Sequence, residues 1–477
     1  MTQLDVANLT VAVADVALVR DVSLRIRASQ ALTLLGDTGS GKSLLAQAIM
    51  GTLPPELRAA GRVAIMGTEY DAADRTARRA QWGHTVALLP QEPWTSLDPT
   101  MRSLPQVSES YKHVRGVDGG WPSARRQAAR DLSALGLPDA NRKYPFMLSG
   151  GMAQRVAFAA AVAGGATLLI ADEPTKGLDP ERRTHVIAVL RSILETGGSL
   201  LTITHDVAIA RALGGTVAIM LEGAIVEQGP AETVLSQPQH EYTRRLLASD
   251  PDTWHTRGAS GSSQLVLTGR GLSKRFGART LFTDVSIDVH AGERIALTGP
   301  SGSGKTTLGG ILLGLVAPDR GVVTRTTAGQ AWEYQKLYQD PVSSFAPHLT
   351  IRRALLDVVA RHGRGWVAVE RLLRRVRLGP ELLDRRPDQV SGGELQRFAL
   401  VRVLLVDPVL LFADEPTSRL DPITQQEILE LLVETTEERG CALVLVTHDA
   451  RVADALCSKT IALAETADDE DEEPLRP

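Results

Sequence analysis

Two ordered sets of the same short strings run through this chain and leave little freedom in what it can become. Gly36-Asp37-Thr38-Gly39-Ser40-Gly41-Lys42-Ser43 returns as Gly299-Pro300-Ser301-Gly302-Ser303-Gly304-Lys305-Thr306. Leu148-Ser149-Gly150-Gly151-Met152-Ala153-Gln154-Arg155 returns as Val390-Ser391-Gly392-Gly393-Glu394-Leu395-Gln396-Arg397. Ala171-Asp172-Glu173-Pro174-Thr175 returns as Ala413-Asp414-Glu415-Pro416-Thr417, and Thr204-His205-Asp206 as Thr447-His448-Asp449. The offset is 242 residues for Ser149/Ser391 and Asp172/Asp414, and 243 for the two histidines. It is 263 for Lys42/Lys305 and 248 for Gln91/Gln339, so the second copy has lost residues between its lysine and its glutamine. A register this constant belongs to a duplicated domain rather than to a short solenoid repeat.

A chain of 477 residues suits two such domains. Residues 1–249 form the first and 265–465 the second. Asp250 to Gln264, rich in Ser, Gly, Thr and Asp, reads as the linker. From Glu465 to Glu473 acidic residues dominate, and like charges at that density predict a disordered tail over 466–477. The net charge of −4 gives no basic footprint for nucleic acid. Cys441 and Cys457 lack metal-like spacing and predict neither a disulfide scaffold nor a zinc site, which favours a reducing cytosol. Met1 to Asp21 has no signal-peptide pattern. The longest apolar run, Val156 to Ala171, falls short of the roughly 20 residues a membrane span needs. It contains Gly164-Gly165 and reads as a helix end, a turn and a buried strand.

Each half alternates strand and helix. Ala31–Leu35 and Ile295–Thr298 are apolar strands feeding the glycine-rich loops. Thr167–Ile170 and Leu410–Phe412 end in acids, and Leu200–Ile203 and Leu443–Val446 precede the histidines. Buried parallel strands of this kind argue an α/β layer fold.

The G-x-x-x-x-G-K-[S/T] loop wraps backbone N–H groups around phosphate, and the following helix turns its positive end to the same anion. Gly36, Gly39 and Gly41, like Gly299, Gly302 and Gly304, leave that cradle open. Lys42 and Lys305 are expected to reach the β- and γ-phosphates of ATP, with the Ser43 and Thr306 hydroxyls on Mg²⁺. Asp172 and Asp414 end strands at the sheet edge where α/β folds bind ligands, and suit Mg²⁺ coordination. Glu173 and Glu415 are the candidates for polarising the attacking water, and His205 and His448 for contacting the γ-phosphate.

The Ser-Gly-Gly segments carry the reading further. With them, the ordered set resembles the ATP-binding cassette (ABC) family over residues 1–250 and 264–465. The resemblance implies two P-loop NTPase (RecA-like) ABC nucleotide-binding domains, each with a helical signature subdomain and an antiparallel β subdomain. It implies that Ser149, Gly150 and Gly151 complete the site of Lys305, and that Ser391, Gly392 and Gly393 complete the site of Lys42. Helix N-terminal amides attract an anion, so ATP would act as adhesive between the domains. It further places Gln91 and Gln339 on nucleotide and Mg²⁺, Thr307 among the ATP contacts, and Asp179 and Asp421 in D-loops. The family's adenine-stacking aromatic falls on Phe276 in the second half but on Val13 in the first, so the Lys42 site is expected to bind ATP more weakly.

Tyr144 to Met152, the run from Gln91 to Pro99, and His240-Glu241-Tyr242-Thr243-Arg244-Arg245-Leu246-Leu247 look like the ATPases of peptide and nickel importers. Gln339 to Pro347 is similar to their companion subunit, so the chain looks like both fused, although the second half lacks a counterpart of 240–247. Oligopeptides, dipeptides, nickel and opines are that branch's substrates. Implied partners are two membrane-spanning permease subunits and an extracellular substrate-binding protein, with this chain peripheral on the cytoplasmic face of the membrane. Trp94, Leu97 and Phe345 are either permease contacts or ordinary core. The alternatives are a soluble tandem ATPase acting on ribosomes, against which the short linker speaks, and an exporter ATPase.

Overall fold

Short runs of five or six apolar residues, too brief for helices, form the buried parallel strands at the centre of each half. The computed structural model describes residues 1–90, 93–175, 180–256, 261–277, 279–300, 302–325, 330–418 and 420–463. The chain divides into two compact units, Met1–Ala248 and Ser249–Pro477.

In the first unit the described strands of the main sheet lie in the order Ala224–Pro230, Thr216–Leu221, Ala31–Leu35, Ser199–Thr204, Leu168–Asp172, Val86–Leu89. All neighbours are parallel except the first pair, an antiparallel hairpin. Leu32, Leu34, Leu168, Ile170, Leu201 and Ile203 point to one face, where they meet Leu45 and Ile49 of the helix Lys42–Met50. Leu169 and Leu200 point to the other, against the helices Gly120–Ala134 and Gly150–Ala163. An antiparallel sheet of Val16–Arg27, Thr2–Val13, Leu57–Ile65 and Thr68–Asp71 closes the first face.

The second unit repeats the plan. Tyr334–Leu337, Leu410–Asp414, Ala442–Val446, Arg294–Thr298 and Lys459–Ala462 form a parallel sheet in that order. Arg279–His290, Leu265–Phe276 and Arg320–Arg325 form its antiparallel companion. Phe398 and Leu400 of the helix Gly392–Leu404 sit in the core on one face, and Leu308 and Ile311 of the helix Lys305–Leu312 on the other. Both units are therefore α/β, with a helical layer and an antiparallel β layer.

The apolar run Val156 to Ala171 is a helix ending at Ala163, a Gly164-Gly165 turn and the strand Leu168–Asp172. Among the described residues no helix is long and apolar enough to cross a membrane. The cysteines are unpaired and buried. The stretch read as a linker differs from free chain. Ser249 and Asp250 are buried, Asp250 and Asp252 each lie 3.2 Å from the Arg451 guanidinium, and Trp254 packs on the second unit's core. Ion pairing and one indole outweigh the polar composition there, so the described part of 250–264 belongs to the second unit. The acidic segment 466–477 lies outside the described residues.

Candidate nucleotide sites

Each glycine-rich loop sits between a buried strand and a helix N-terminus because its glycines adopt what other residues cannot. Gly41 and Gly304 hold φ of 99° and 94°, in the left-handed region. A Cβ on Gly36 would meet the Met220 carbonyl at 2.2 Å, and one on Gly299 the Leu463 carbonyl at 2.4 Å. The loop then closes on its own lysine. Lys42 Nζ donates to the carbonyls of Gly36 (2.8 Å) and Asp37 (2.7 Å) and to Ser40 Oγ (3.2 Å). Lys305 Nζ donates to Gly299 and Pro300, both at 2.8 Å. Both lysines are buried, and burial lowers the Lys305 pKa against the pull of Glu415 and Asp414.

The acid pairs stand at the carboxyl ends of the strands Leu168–Asp172 and Leu410–Asp414, with both aspartates buried. Glu173 and Glu415 follow at φ 49° and 43°. A non-glycine residue held there costs about 1–3 kcal/mol, and such strain gathers where a side chain must be aimed. In the first unit Glu173 Oε1 lies 2.9 Å from His205 Nδ1, and Thr204 Oγ1 donates to Oε2 at 3.4 Å. In the second, His448 Nδ1 is 3.8 Å from Glu415 Oε2, which accepts from Gln339 Nε2 at 3.1 Å. Gln339 also donates to Ser418 Oγ.

Thr306 Oγ1 donates to Asp414 Oδ1 at 3.1 Å, placing a hydroxyl and a carboxylate together. Such a hard-oxygen pair fits Mg²⁺, which takes one or two carboxylates and leaves other positions to phosphate and water. Among the described residues no group of three or more His, Cys, Asp or Glu could hold a metal alone. Ser43 opens the helix Lys42–Met50 as Thr306 does its own, and Thr307 follows on that helix. Gln91 and Asp179 lie outside the described residues.

Ser149 and Ser391 cap the helices Gly150–Ala163 and Gly392–Leu404, accepting from Met152 N at 3.4 Å and Glu394 N at 3.3 Å. Ser149, Gly150, Ser391 and Gly392 are exposed, while Gly151 and Gly393 are half-buried. Among the described residues their hydrogen bonds stay within their own helices. Asp421 caps the helix Pro422–Arg439 through Thr424 N at 2.9 Å.

Phe276 ends its strand 57% exposed, with Lys274 Nζ 5.4 Å from its ring centre. It pairs with Arg279, as Val13 pairs with Val16. The register thus makes Phe276 and Val13 equivalent. Leu97 and Phe345, expected as permease contacts or core, are core, at 6% and 7% exposure. The Trp94 side chain lies outside those described.

Four neighbours escaped the motif reading. Tyr242 Oη accepts the Asp37 amide of the first loop at 2.8 Å. Arg279 donates to the Gly302 carbonyl at 3.3 Å. Lys336 pairs with Asp414 at 2.9 Å. Arg451 clasps Asp449, beside His448, at 2.7 Å, and that hydrogen bond raises its pKa. A lysine in the short strand Tyr334–Leu337 was a readable signal; the others depend on tertiary folding.

Two lysine loops, each with an acid pair, a histidine and a capped Ser-Gly-Gly helix, define a nucleotide-hydrolysing cassette present twice. The ABC transporter family model matches residues 19–176 and 282–418, and the chain belongs to that family: it is an ABC transporter ATPase with two ATP-binding cassettes, coupling ATP hydrolysis to transport. It is 34% identical to the uncharacterized ABC transporter ATP-binding protein YejF of Escherichia coli K12, over 93% of this chain and 90% of that one. It is 32% identical to the peptidoglycan transport ATP-binding protein YejF of Agrobacterium fabrum, over 93% and 86%. It is also 32% identical to the glutathione import ATP-binding protein GsiA of Salmonella typhi, over 93% and 81%. Among solved structures it is similar to an RNase-L inhibitor, with a TM-score of 0.64 and 20% identity over 95% of this chain and 87% of that one. At that identity the likeness shows the fold alone.

Proposed function

We propose that this chain energises an importer of peptide-type solutes, docked on the cytoplasmic face of two permease subunits served by an extracellular binding protein. Of the substrate classes the sequence suggested, the peptide class is the one that fits relatives named for peptidoglycan and glutathione. ATP draws the two units together: Ser149, Gly150 and Gly151 bind the nucleotide held by Lys305, and Ser391, Gly392 and Gly393 that held by Lys42. The observation that carries this reading is the exposed, capped helix start in each unit. A Cβ on Gly150 would meet nothing within 4 Å, so packing inside the unit gives no reason for glycine there. Close approach by an anion on another surface does.

Catalysis is then mostly positioning and charge neutralisation. Lys42 and Lys305 leave the loop carbonyls for phosphate oxygens. Ser43 with Asp172, and Thr306 with Asp414, would hold Mg²⁺, which would supply charge neutralisation to the phosphates; Gln91 and Gln339 would join those sets. Glu173 and Glu415 accept a proton from the attacking water, while His205 and His448 steady the γ-phosphate. Phe276 offers a face to adenine.

Changing Glu173 and Glu415 together to Gln should preserve ATP binding and lower turnover by about 100-fold or more. Undiminished hydrolysis would overturn the assignment. That double variant should also become more compact on adding ATP, read by small-angle scattering. Unchanged dimensions with ATP bound would remove the paired-site reading. The importer reading is checked by reconstituting the chain with a permease pair and binding protein in vesicles; ATP-driven peptide uptake supports it, and efflux alone refutes it.

A further inference from the structure

Lys336 stands where neither the fold nor the motifs call for charge. It lies in the strand Tyr334–Leu337, opposite Phe412 of the strand that ends in Asp414. Its side chain is 11% exposed, and its ammonium sits 2.9 Å from Asp414 Oδ2 while Thr306 occupies Oδ1. The rings of Tyr338 and Phe412 flank the ammonium at 5.1 and 5.9 Å. In the first unit Leu88 holds this register opposite Ile170, and Pro90 stands in Tyr338's place. The ammonium and both of its aromatic walls are therefore particular to the second site.

The electrostatic consequence follows from the geometry. A carboxylate in contact with a mostly buried ammonium presents little net charge to a second cation, and a dication approaching the same carboxylate meets like charge. Without metal, the Asp414 and Glu415 carboxylates oppose a triphosphate, and the lysine cancels one of them. Both effects reduce how much a metal adds to nucleotide binding.

We propose that Lys336 is a built-in counter-cation of Asp414 that frees ATP binding at the Lys305 site from strong dependence on Mg²⁺. The Lys42 site, with Leu88, stays metal-dependent and, with His205 2.9 Å from Glu173 where His448 is 3.8 Å from Glu415, carries the larger share of hydrolysis. The second site is a holding site and the first a firing site. This rests on the reading that both loops bind ATP.

The experiment measures affinity for a fluorescent ATP analogue, in Mg²⁺ and in EDTA, on the full chain in two backgrounds. Lys42→Ala leaves the Lys305 site, and Lys305→Ala leaves the Lys42 site. Removing Mg²⁺ should weaken the Lys42 site about tenfold more than the Lys305 site, on the scale by which outer-shell partners tune metal affinity. Adding Lys336→Leu to the Lys42→Ala chain should raise its metal dependence to that of the Lys42 site. Lys336→Gln should do the same, because charge and not length is responsible. Equal losses in EDTA at the two sites would overturn the proposal, as would metal dependence unmoved by both substitutions. If Lys336→Leu fails to fold by circular dichroism, the Gln variant and the two-background comparison still decide. Absence of binding in Mg²⁺ in both backgrounds would instead overturn the nucleotide reading and this proposal with it.

Discussion

The two lysine loops share one motif set and differ in several of the side chains around it. At the first, His205 is in contact with Glu173 and Tyr242 accepts a loop amide. At the second, His448 stands 3.8 Å from Glu415, and Lys336 neutralises Asp414. The adenine side diverges as well, with Val13 and Val16 where the second site has Phe276 and Arg279. Even the histidine loops are anchored differently: Asp206 pairs with Arg183 at 3.3 Å, Asp449 with Arg451. Motifs report which reaction a site belongs to; their neighbours are where the two sites part.

The comparison breaks most easily at the glutamates. Glu173→Gln should lower steady-state hydrolysis by about 100-fold, and Glu415→Gln by only a few-fold. Equal losses would mean that the sites share the work evenly.

Adenine binding sharpens the contrast next. Phe276→Ala should weaken the Lys305 site about tenfold, at the low end of the range for losing an aromatic platform, and Val13→Phe should tighten the Lys42 site. Isothermal titration in the single-lysine backgrounds reads both. Equal affinities of the two sites without either change would remove the argument from Val13.

A smaller effect attends Tyr242→Phe, which removes one acceptor from the Asp37 amide. It should cost the Lys42 site about 1 kcal/mol of nucleotide affinity and leave the Lys305 site unmoved. An equal change at both would show that the tyrosine acts on stability at large.

The smallest expected signal is none at all. Burial pushes the Cys441 and Cys457 thiols up to about 12, so neither ionises near neutral pH in the folded chain. A thiol reagent at pH 8 should leave the native protein unlabelled and react with both cysteines after denaturation. Because both belong to the second unit, early labelling would report its opening alone.

Much of this was legible in the chain itself. Five-residue apolar runs ending in Asp, or preceding Thr-His-Asp, mark central parallel strands, and the strands Leu168–Asp172 and Ala442–Val446 lie there. Gly-x-x-x-x-Gly-Lys and Ser-Gly-Gly are local in sequence, so both loops and both helix caps could be named by number. What escaped was non-local. Tyr242 reaches Asp37 across 205 residues, and Arg451 reaches Asp250 across 201. Asp250 to Gln264 reads as linker on composition because the partners of its acids lie far along the chain. Phe345 and Leu97 are apolar residues in loops, and only the folded helical layers show that they are enclosed.

The clasp of Arg451 on Asp250 and Asp252 also fixes where this chain could be divided. Separate expression of the halves should cut after Ala248. A later cut would strand Trp254 and two acids on the wrong fragment and strip the Thr447-His448-Asp449 segment of the brace that Arg451 gives it. The join thus has a structural duty, and a division that ignores it should yield a poorly soluble second half.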